Sequence, residues 1–479
     1  MTSQNSLRTE TGAASKEAAL VDEGSGAKPQ TLLADLGQFA AHLRLDEVPH
    51  EVREQAKLSV LDTLGCMIAG ADDPDTQTLL DIERRDSSAG AVARVVGHDA
   101  WLPEEAAARV NSYAGDVFEH NDLVGSHASI ATLPAAMATA EVTGATGAEL
   151  LLSYICATEI VARLYASYYA RKKDYMDVAI APPGIINSIG SACGSGLLWG
   201  LDANTLAEAM ALGGALAGWC PVGAVYDDGG TAKPLLHGAW PASTGLLAAR
   251  YARAGMTGPV GLLESRIGLF ATLAHDFDPR AISDPGSWHL ANPRRKLHAA
   301  CGYTHAGTDA VVGLRRRLGG RLLEAEEIVI RVPFYTFRAV SKDGPPKSRT
   351  QARFHLQFSA ALAAIGEDRV RPTHGTDYLD WLAKPDLQRV LPRIHVEMDE
   401  GFRHYEQCAV EVRMPDGNVE RSDGKPPRGA PANPMDRDMV IEKFRDCASA
   451  RMDVAETNSY IETILHLDEL RHCGSLYDI

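Results

Sequence analysis

Residues 185–200 are studded with glycine and alanine (Gly190, Ala192, Gly194, Gly196), and residues 203–218 repeat the style. Small residues lower helix propensity, so helices built from them persist only where tertiary packing offsets the loss. They also let neighbouring backbones approach closely. This stretch therefore demands helices in tight mutual contact. The flanking text agrees. Leu32, Leu36, Phe39 and Leu43 recur at helical spacing. Pro49 opens another helix, with Val52, Ala56, Val60 and Met67 on one face and Gly70 near its end. Residues 102–113, 131–143 and 147–167 read as helices, Pro182-Pro183-Gly184 breaks the chain, and residues 243–254 are helical again. Residues 31–275 read as one all-helical domain.

The pattern changes after about residue 285. Ile328, Ile330 and Val332 alternate as in a strand, as do Val410, Val412 and Met414, and His395-Val396-Glu397-Met398 is a third candidate. Helices fit at 300–317 and 354–365, and Pro415-Asp416-Gly417-Asn418 is a turn. This is an α+β unit with an antiparallel sheet. Residues 422–434 are a Pro/Gly-rich linker, after which Met439, Phe444, Cys447, Ile461, Ile464 and Leu467 mark terminal helices that can pack back on the first domain. Residues 1–30, rich in Ser, Thr, Gly and charge, read as a disordered arm.

Charge and cysteine usage narrow the function classes. A net charge of −16 argues against nucleic acid or an anionic membrane as the main partner. It leaves anionic small molecules open, because a local cation cluster can oppose the global field. No uninterrupted apolar run reaches about 18 residues, so no membrane span is expected. The eight cysteines contain no C-x-x-C pair and several lie in apolar helical text, which fits buried free thiols in a reducing, cytoplasmic compartment.

Two segments carry candidate chemistry. Asp227-Asp228-Gly229-Gly230 forms an acidic, glycine-rich turn before Lys233 and His237. Lysine supplies a mobile point charge and histidine can move a proton near neutral pH, so the pair suits an anionic ligand. A surface lysine and a hydrogen-bonded histidine at a helix start are the plainer alternative. Glu119-His120-Asn121-Asp122, followed by Ser126-His127, sits between two Ala-rich helices. Polar groups there are costly to bury unless they pair or bind something.

Three segments together resemble the MmgE/PrpD family. They are residues 111–141, with an acidic run and then His127; Thr231-Ala232-Lys233-Pro234-Leu235-Leu236-His237-Gly238-Ala239 with Gly258-Pro259; and Lys296-Leu297-His298-Ala299-Ala300-Cys301-Gly302-Tyr303-Thr304-His305, followed by Asp309. Pro431-Ala432-Asn433-Pro434-Met435 is a weaker echo. The resemblance implies a mainly α fold. A large all-helical domain (31–285) is completed by C-terminal helices (425–479), and a smaller α+β lid (286–424) is inserted. It further implies a homodimer, no metal or organic cofactor, and a small-molecule carboxylate substrate.

The resemblance also assigns roles. His127 falls at the acid/base histidine, Lys233 at a lysine that holds substrate carboxylate, and Lys296 at a lysine of the lid. Glu119 stands where aspartate is usual. Asn121 and Asp122 take the places of an acidic pair, and Leu123 replaces a threonine. Cys301 occupies a position that is Cys or His in relatives; His237 and His305 lie nearby in the pattern. Ala181 stands where the family often has histidine, which leaves space for a bulkier or less charged substrate. Lys347 and Arg349 are read as a solvated loop or as lid contacts to a second carboxylate, and His120 has no assigned role.

Removing a proton beside a carboxylate builds charge on an anionic group, which cations such as Lys233 and Lys296 would stabilise. His127 would act as base, with Glu119 or Asp122 orienting its ring, and closure of the lid would exclude water. Three functions follow: a lyase that dehydrates or decarboxylates a branched di- or tricarboxylate, an epimerase of the iminodisuccinate type, or a non-catalytic carboxylate binder.

Overall fold

The computed structural model describes residues 30–86, 90–227, 230–284 and 286–478. The expected N-terminal arm (all but Gln30) and Asp228-Gly229 of the glycine-rich turn lie outside the described residues. The protein is mainly α, with one two-stranded and one four-stranded sheet.

The glycine- and alanine-rich helix, Pro183–Leu198, is the hub of the helical body. It packs against Ser129–Thr143, Gly147–Tyr169, Ala203–Ala215 and Trp240–Arg253. A Cβ on Gly190 would come within 2.3 Å of Val161 Cγ2, and one on Gly245 within 2.4 Å of the Ser191 Cβ. At these two positions even a methyl group would force the helices apart. Thr146 and Glu149 close a capping box at the start of Gly147–Tyr169, satisfying N–H groups that the first turn leaves unpaired. That helix is long and apolar enough to cross a membrane, yet 83% of its most apolar window is buried inside the protein.

The C-terminal helices Arg437–Ala448 and Val454–Leu465 pack on His50–Gly70, where Val440, Phe444 and Ile461 share a core with Leu61 and Leu64. Lys443 is buried in this contact. Its Nζ donates to His120 O at 2.7 Å and Lys296 O at 2.9 Å and lies 2.7 Å from Asp62 Oδ1. A buried ammonium is tolerable only when so enclosed by acceptors.

The first two strands, β1 (Ala93–Arg94) and β2 (Trp101–Leu102), form a small antiparallel hairpin. The main sheet contains β3 (Glu327–Val332), β4 (Ile394–Met398), β5 (Ala409–Arg413) and β6 (Val419–Asp423), in the order β4-β3-β5-β6. The expectation of a wholly antiparallel sheet needs correction: β3 and β4 run parallel, with Ile328 opposite Ile394. Parallel neighbours need a long crossover, and residues 333–393 supply one, including the helices Phe334–Val340, Leu356–Ile365 and Pro385–Val390. β6 begins before the stretch read as linker and pairs with β5 across a turn where Gly417 takes φ +82°.

Ile328, Ile330, Val410 and Val412 form a core with Leu314, Leu356 and Leu362, and Tyr175, Ala181, Cys220 and Val225 of the helical body join its margin. The candidate site lies along this seam. Arg349 crosses it, pairing with Asp73 at 3.1 Å and Asp75 at 2.9 Å.

Candidate active site

Residues 117–128 link the helices Glu104–Asp116 and Ser129–Thr143. Within this link Glu119 (φ +54°), Ser126 (φ +70°) and His127 (φ +69°) adopt left-handed backbone, as does Gly125. Non-glycine residues rarely do so, and clusters of them accompany functional sites. The bends aim Glu119, Asn121 and His127 at one another.

Glu119 is almost fully buried and receives both candidate lysines. Lys233 Nζ donates to its Oε2 and, at 2.5 Å, to Asp116 Oδ1. Lys296 Nζ donates to Glu119 Oε1 at 2.7 Å and to its backbone carbonyl at 3.0 Å. Burial alone would raise the Glu119 carboxyl, but Lys233 and Lys296 hold it well below its ordinary range. Burial pushes Asp116 up to about 6, against the pull of Lys233. Burial lowers the Lys296 ammonium despite Glu119. The two lysines and two carboxylates make a closed, electrically balanced group.

His127 is tied to this group through Asn121. Asn121 Nδ2 donates to Asp116 Oδ1 at 2.6 Å. Its Oδ1 must therefore face His127 Nδ1, with which it forms a short hydrogen bond. An amide oxygen only accepts, so Nδ1 carries the proton and Nε2 keeps its lone pair. Nε2 lies 3.9 Å from Glu119 Oε1. Burial, then Lys296, pushes the imidazole well below its usual pKa. At neutral pH His127 is an uncharged base.

His237 sits on a π-helical turn, Leu235–Ala239, directly before Trp240–Arg253. Pro241 has no N–H to give the His237 carbonyl four residues back; Asn187 Nδ2 donates to it instead at 3.0 Å and to His127 O at 3.1 Å. The two imidazole centroids are 5.6 Å apart. Both His237 ring nitrogens are buried without a hydrogen-bond partner, and burial lowers this ring's pKa as well. A short π segment carrying such a side chain is a recurrent functional device.

Glu119, Ser126, His127, Ala181, His237, Arg294 and Cys301 line one cavity. The rings of Tyr165, Tyr175, Tyr226, Tyr303, Phe354 and Tyr405 complete its wall. Ala181 is held there by a hydrogen bond from its N–H to Cys220 O at 2.9 Å. Burial pushes the Cys301 thiol up to about 12, so it stays protonated. Lys233 and Lys296 approach Glu119 from behind and do not line the cavity.

Two expected site residues lie elsewhere. Asp122 Oδ2 accepts from Ser129 Oγ at 2.5 Å, and that hydroxyl lies 2.8 Å from Tyr154 Oη. Asp122 does not orient the imidazole, because the reversed backbone directs Asn121 there. His305 Nε2 is 3.2 Å from Ala300 O, and its ring packs edge-on against His298 at 4.9 Å. Arg349, engaged with Asp73 and Asp75, is no solvated loop residue; Lys347 is exposed, and neither lines the cavity. His120 packs against Leu297 O and Cys447.

Asp116, Asn187, Arg294 and the tyrosines are absent from the sequence-derived site. Arg294 Nε donates to Glu406 Oε1 at 2.7 Å, and its guanidinium lies 5.3 Å from the Tyr405 ring centroid. Only its position two residues before Lys296 offered a clue. Among the described residues no group of three or more His, Cys, Asp or Glu could hold a metal ion.

Residues 34–282 match the MmgE/PrpD N-terminal domain and residues 298–469 the MmgE/PrpD C-terminal domain. The chain belongs to the MmgE/PrpD family. Similar proteins include a cis-aconitate decarboxylase of Aspergillus terreus, 25% identical over 474 residues, covering 93% of this chain and 95% of the relative. The human cis-aconitate decarboxylase is 25% identical over 461 residues, covering 91% of each. Family membership supports an enzyme with carboxylate lyase chemistry.

Proposed function

We propose that this MmgE/PrpD protein is a cofactor-independent lyase that dehydrates or decarboxylates a branched di- or tricarboxylate by proton transfer beside a carboxylate. The observation that carries this reading is the Asp116–Asn121–His127 chain, which leaves an uncharged His127 with its Nε2 lone pair free. The names of the relatives favour decarboxylation.

In dehydration, Nε2 takes the proton from the carbon next to the carboxylate. The C–H electron pair becomes the new double bond and the β-hydroxyl leaves as water. The proton that Nε2 has taken is the one returned to the departing hydroxyl, directly or relayed through the neutral His237 ring. In decarboxylation the C–CO2 bond breaks, CO2 leaves and the bond's electrons remain on the carbon framework, which takes a proton that His127 Nε2 has first drawn from solvent. Either route builds enediolate-like charge. Arg294 is placed to hold a carboxylate, while Lys296 and Lys233 act through Glu119. Fixed charges of this kind act most strongly where water is excluded.

A second reading is epimerisation, which needs two acid/base groups at one carbon; it is supported by His237, the second uncharged imidazole in the cavity. The buried, unbridged cysteines are in keeping with a cytoplasmic enzyme.

The test is proton NMR in deuterated buffer with cis-aconitate, citrate, 2-methylcitrate and alkyl- or aryl-substituted succinates and maleates. Loss of substrate supports the lyase, and deuterium entry without net loss supports the epimerase. No change in any compound contradicts both.

A further inference from the structure

The cavity wall is poorly matched to a trianion. Among its lining residues the formally charged ones are Glu119 and Arg294, and each already has counter-charges: Lys233 and Lys296 for Glu119, and Glu406 for Arg294. Two lysines behind the wall are committed too. Lys233 holds two carboxylates, and Lys342 Nζ donates to Tyr226 O at 2.6 Å. Beyond one carboxylate at Arg294, each added carboxylate would be desolvated without a cation of its own on the wall, which costs more than a partial dipole returns.

The rest of the wall favours flat or apolar groups. Tyr226 and Tyr303 stack with centroids 5.9 Å apart and planes 11° from parallel, and Tyr405 follows at 5.2 Å from Tyr303. Val225, Pro182, Pro183 and the small side chain of Ala181 adjoin these rings. Aromatic rings bury large apolar area and pair with other rings in offset or tilted contacts. The one cation on the wall, Arg294, reaches Glu406 through Nε alone, and its Nη nitrogens make no hydrogen bond among the described residues. A guanidinium so placed can take one carboxylate through paired N–H donors.

We propose that the substrate carries no more than two carboxylates together with an aromatic or apolar substituent seated against Tyr226, Tyr303 and Tyr405. One carboxylate pairs with Arg294. The reacting carbon then lies toward His127 and His237, and the substituent fills the space beside Ala181. This rests on the reading of the cavity as a carboxylate site.

Calorimetric titration of the full chain with two unreactive ligands tests it. Tricarballylate has three carboxylates, and 2-benzylsuccinate has the same skeleton with one carboxylate exchanged for phenyl. We expect 2-benzylsuccinate to bind at least tenfold more tightly, and Arg294→Gln to weaken its binding at least tenfold. Tricarballylate binding equally well or better, or no binding of either ligand, overturns the proposal. Neither ligand has to react. Preferential binding of 2-benzylsuccinate without exchange of any compound in deuterated buffer would remove the lyase and epimerase readings and leave this specificity standing.

Discussion

His127 Nδ1 and Asn121 Oδ1 share a short, buried hydrogen bond, and this contact decides which face of the imidazole is basic. Asn121 cannot turn around, because its Nδ2 is committed to Asp116. Replacing Asn121 with leucine keeps the side-chain size and frees the tautomer. We expect kcat to fall about 10- to 100-fold, by analogy with the loss of a residue that orients a metal-bound histidine. KM should change little, and steady-state kinetics checks the split.

Glu119 holds two buried ammonium groups, so its loss should be felt in stability. Glu119→Gln leaves Lys296 without a charged partner and Lys233 with Asp116 alone. Breaking a buried ion pair from one side costs about 3–5 kcal/mol. Chemical denaturation should show a loss of that order, with the slope against denaturant unchanged.

The pH dependence of activity follows from the buried rings. Burial and the neighbouring lysines lower His127 and His237 well below 6.5. The basic form of a group with a lowered pKa persists to lower pH. kcat/KM should therefore stay level as pH drops through 6.5 and decline only well below it. An acid limb centred at 6.5 or higher would show a histidine in ordinary surroundings.

Asp122 makes a separate prediction about stability. Burial raises its carboxyl to about 7 from 3.8, and Oδ1 has no hydrogen-bond partner. An acid with a raised folded pKa contributes stability below about pH 4 that is lost as pH rises to about 7. The melting temperature of Asp122→Asn relative to wild type should become more favourable between pH 4.5 and 7.5 and then level off. Thermal unfolding across that window checks it.

The helical body was legible because steric need writes itself into composition: Gly190 and Gly245 can be nothing larger where backbones nearly touch. Strand direction was not. Alternation in Ile328–Val332 identifies a face, but the parallel partner at Ile394 depends on a crossover of some sixty residues. β6 was passed over because Glu420, Arg421 and Ser422 carry no apolar alternation; its ladder with β5 holds it. In the site, three separated segments meet at Glu119, Lys233 and Lys296, as the family pattern suggested. Which of three consecutive polar residues would reach His127 could not be read from spacing. Left-handed backbone at Glu119 and His127 breaks both the helical and the strand period. His305 stayed away for a plainer reason: at the first residue of His305–Leu318 its ring is buried against His298, with Nε2 beside Ala300 O.

The most direct test of His127 as the base is solvent deuterium exchange, measured by proton NMR on wild type and His127→Asn with whichever carboxylate the wild type turns over. Base catalysis contributes about 10²–10⁴-fold. The variant should stay folded and lose exchange and turnover by at least about 100-fold. Exchange at the wild-type rate in a folded His127→Asn protein would contradict the mechanism.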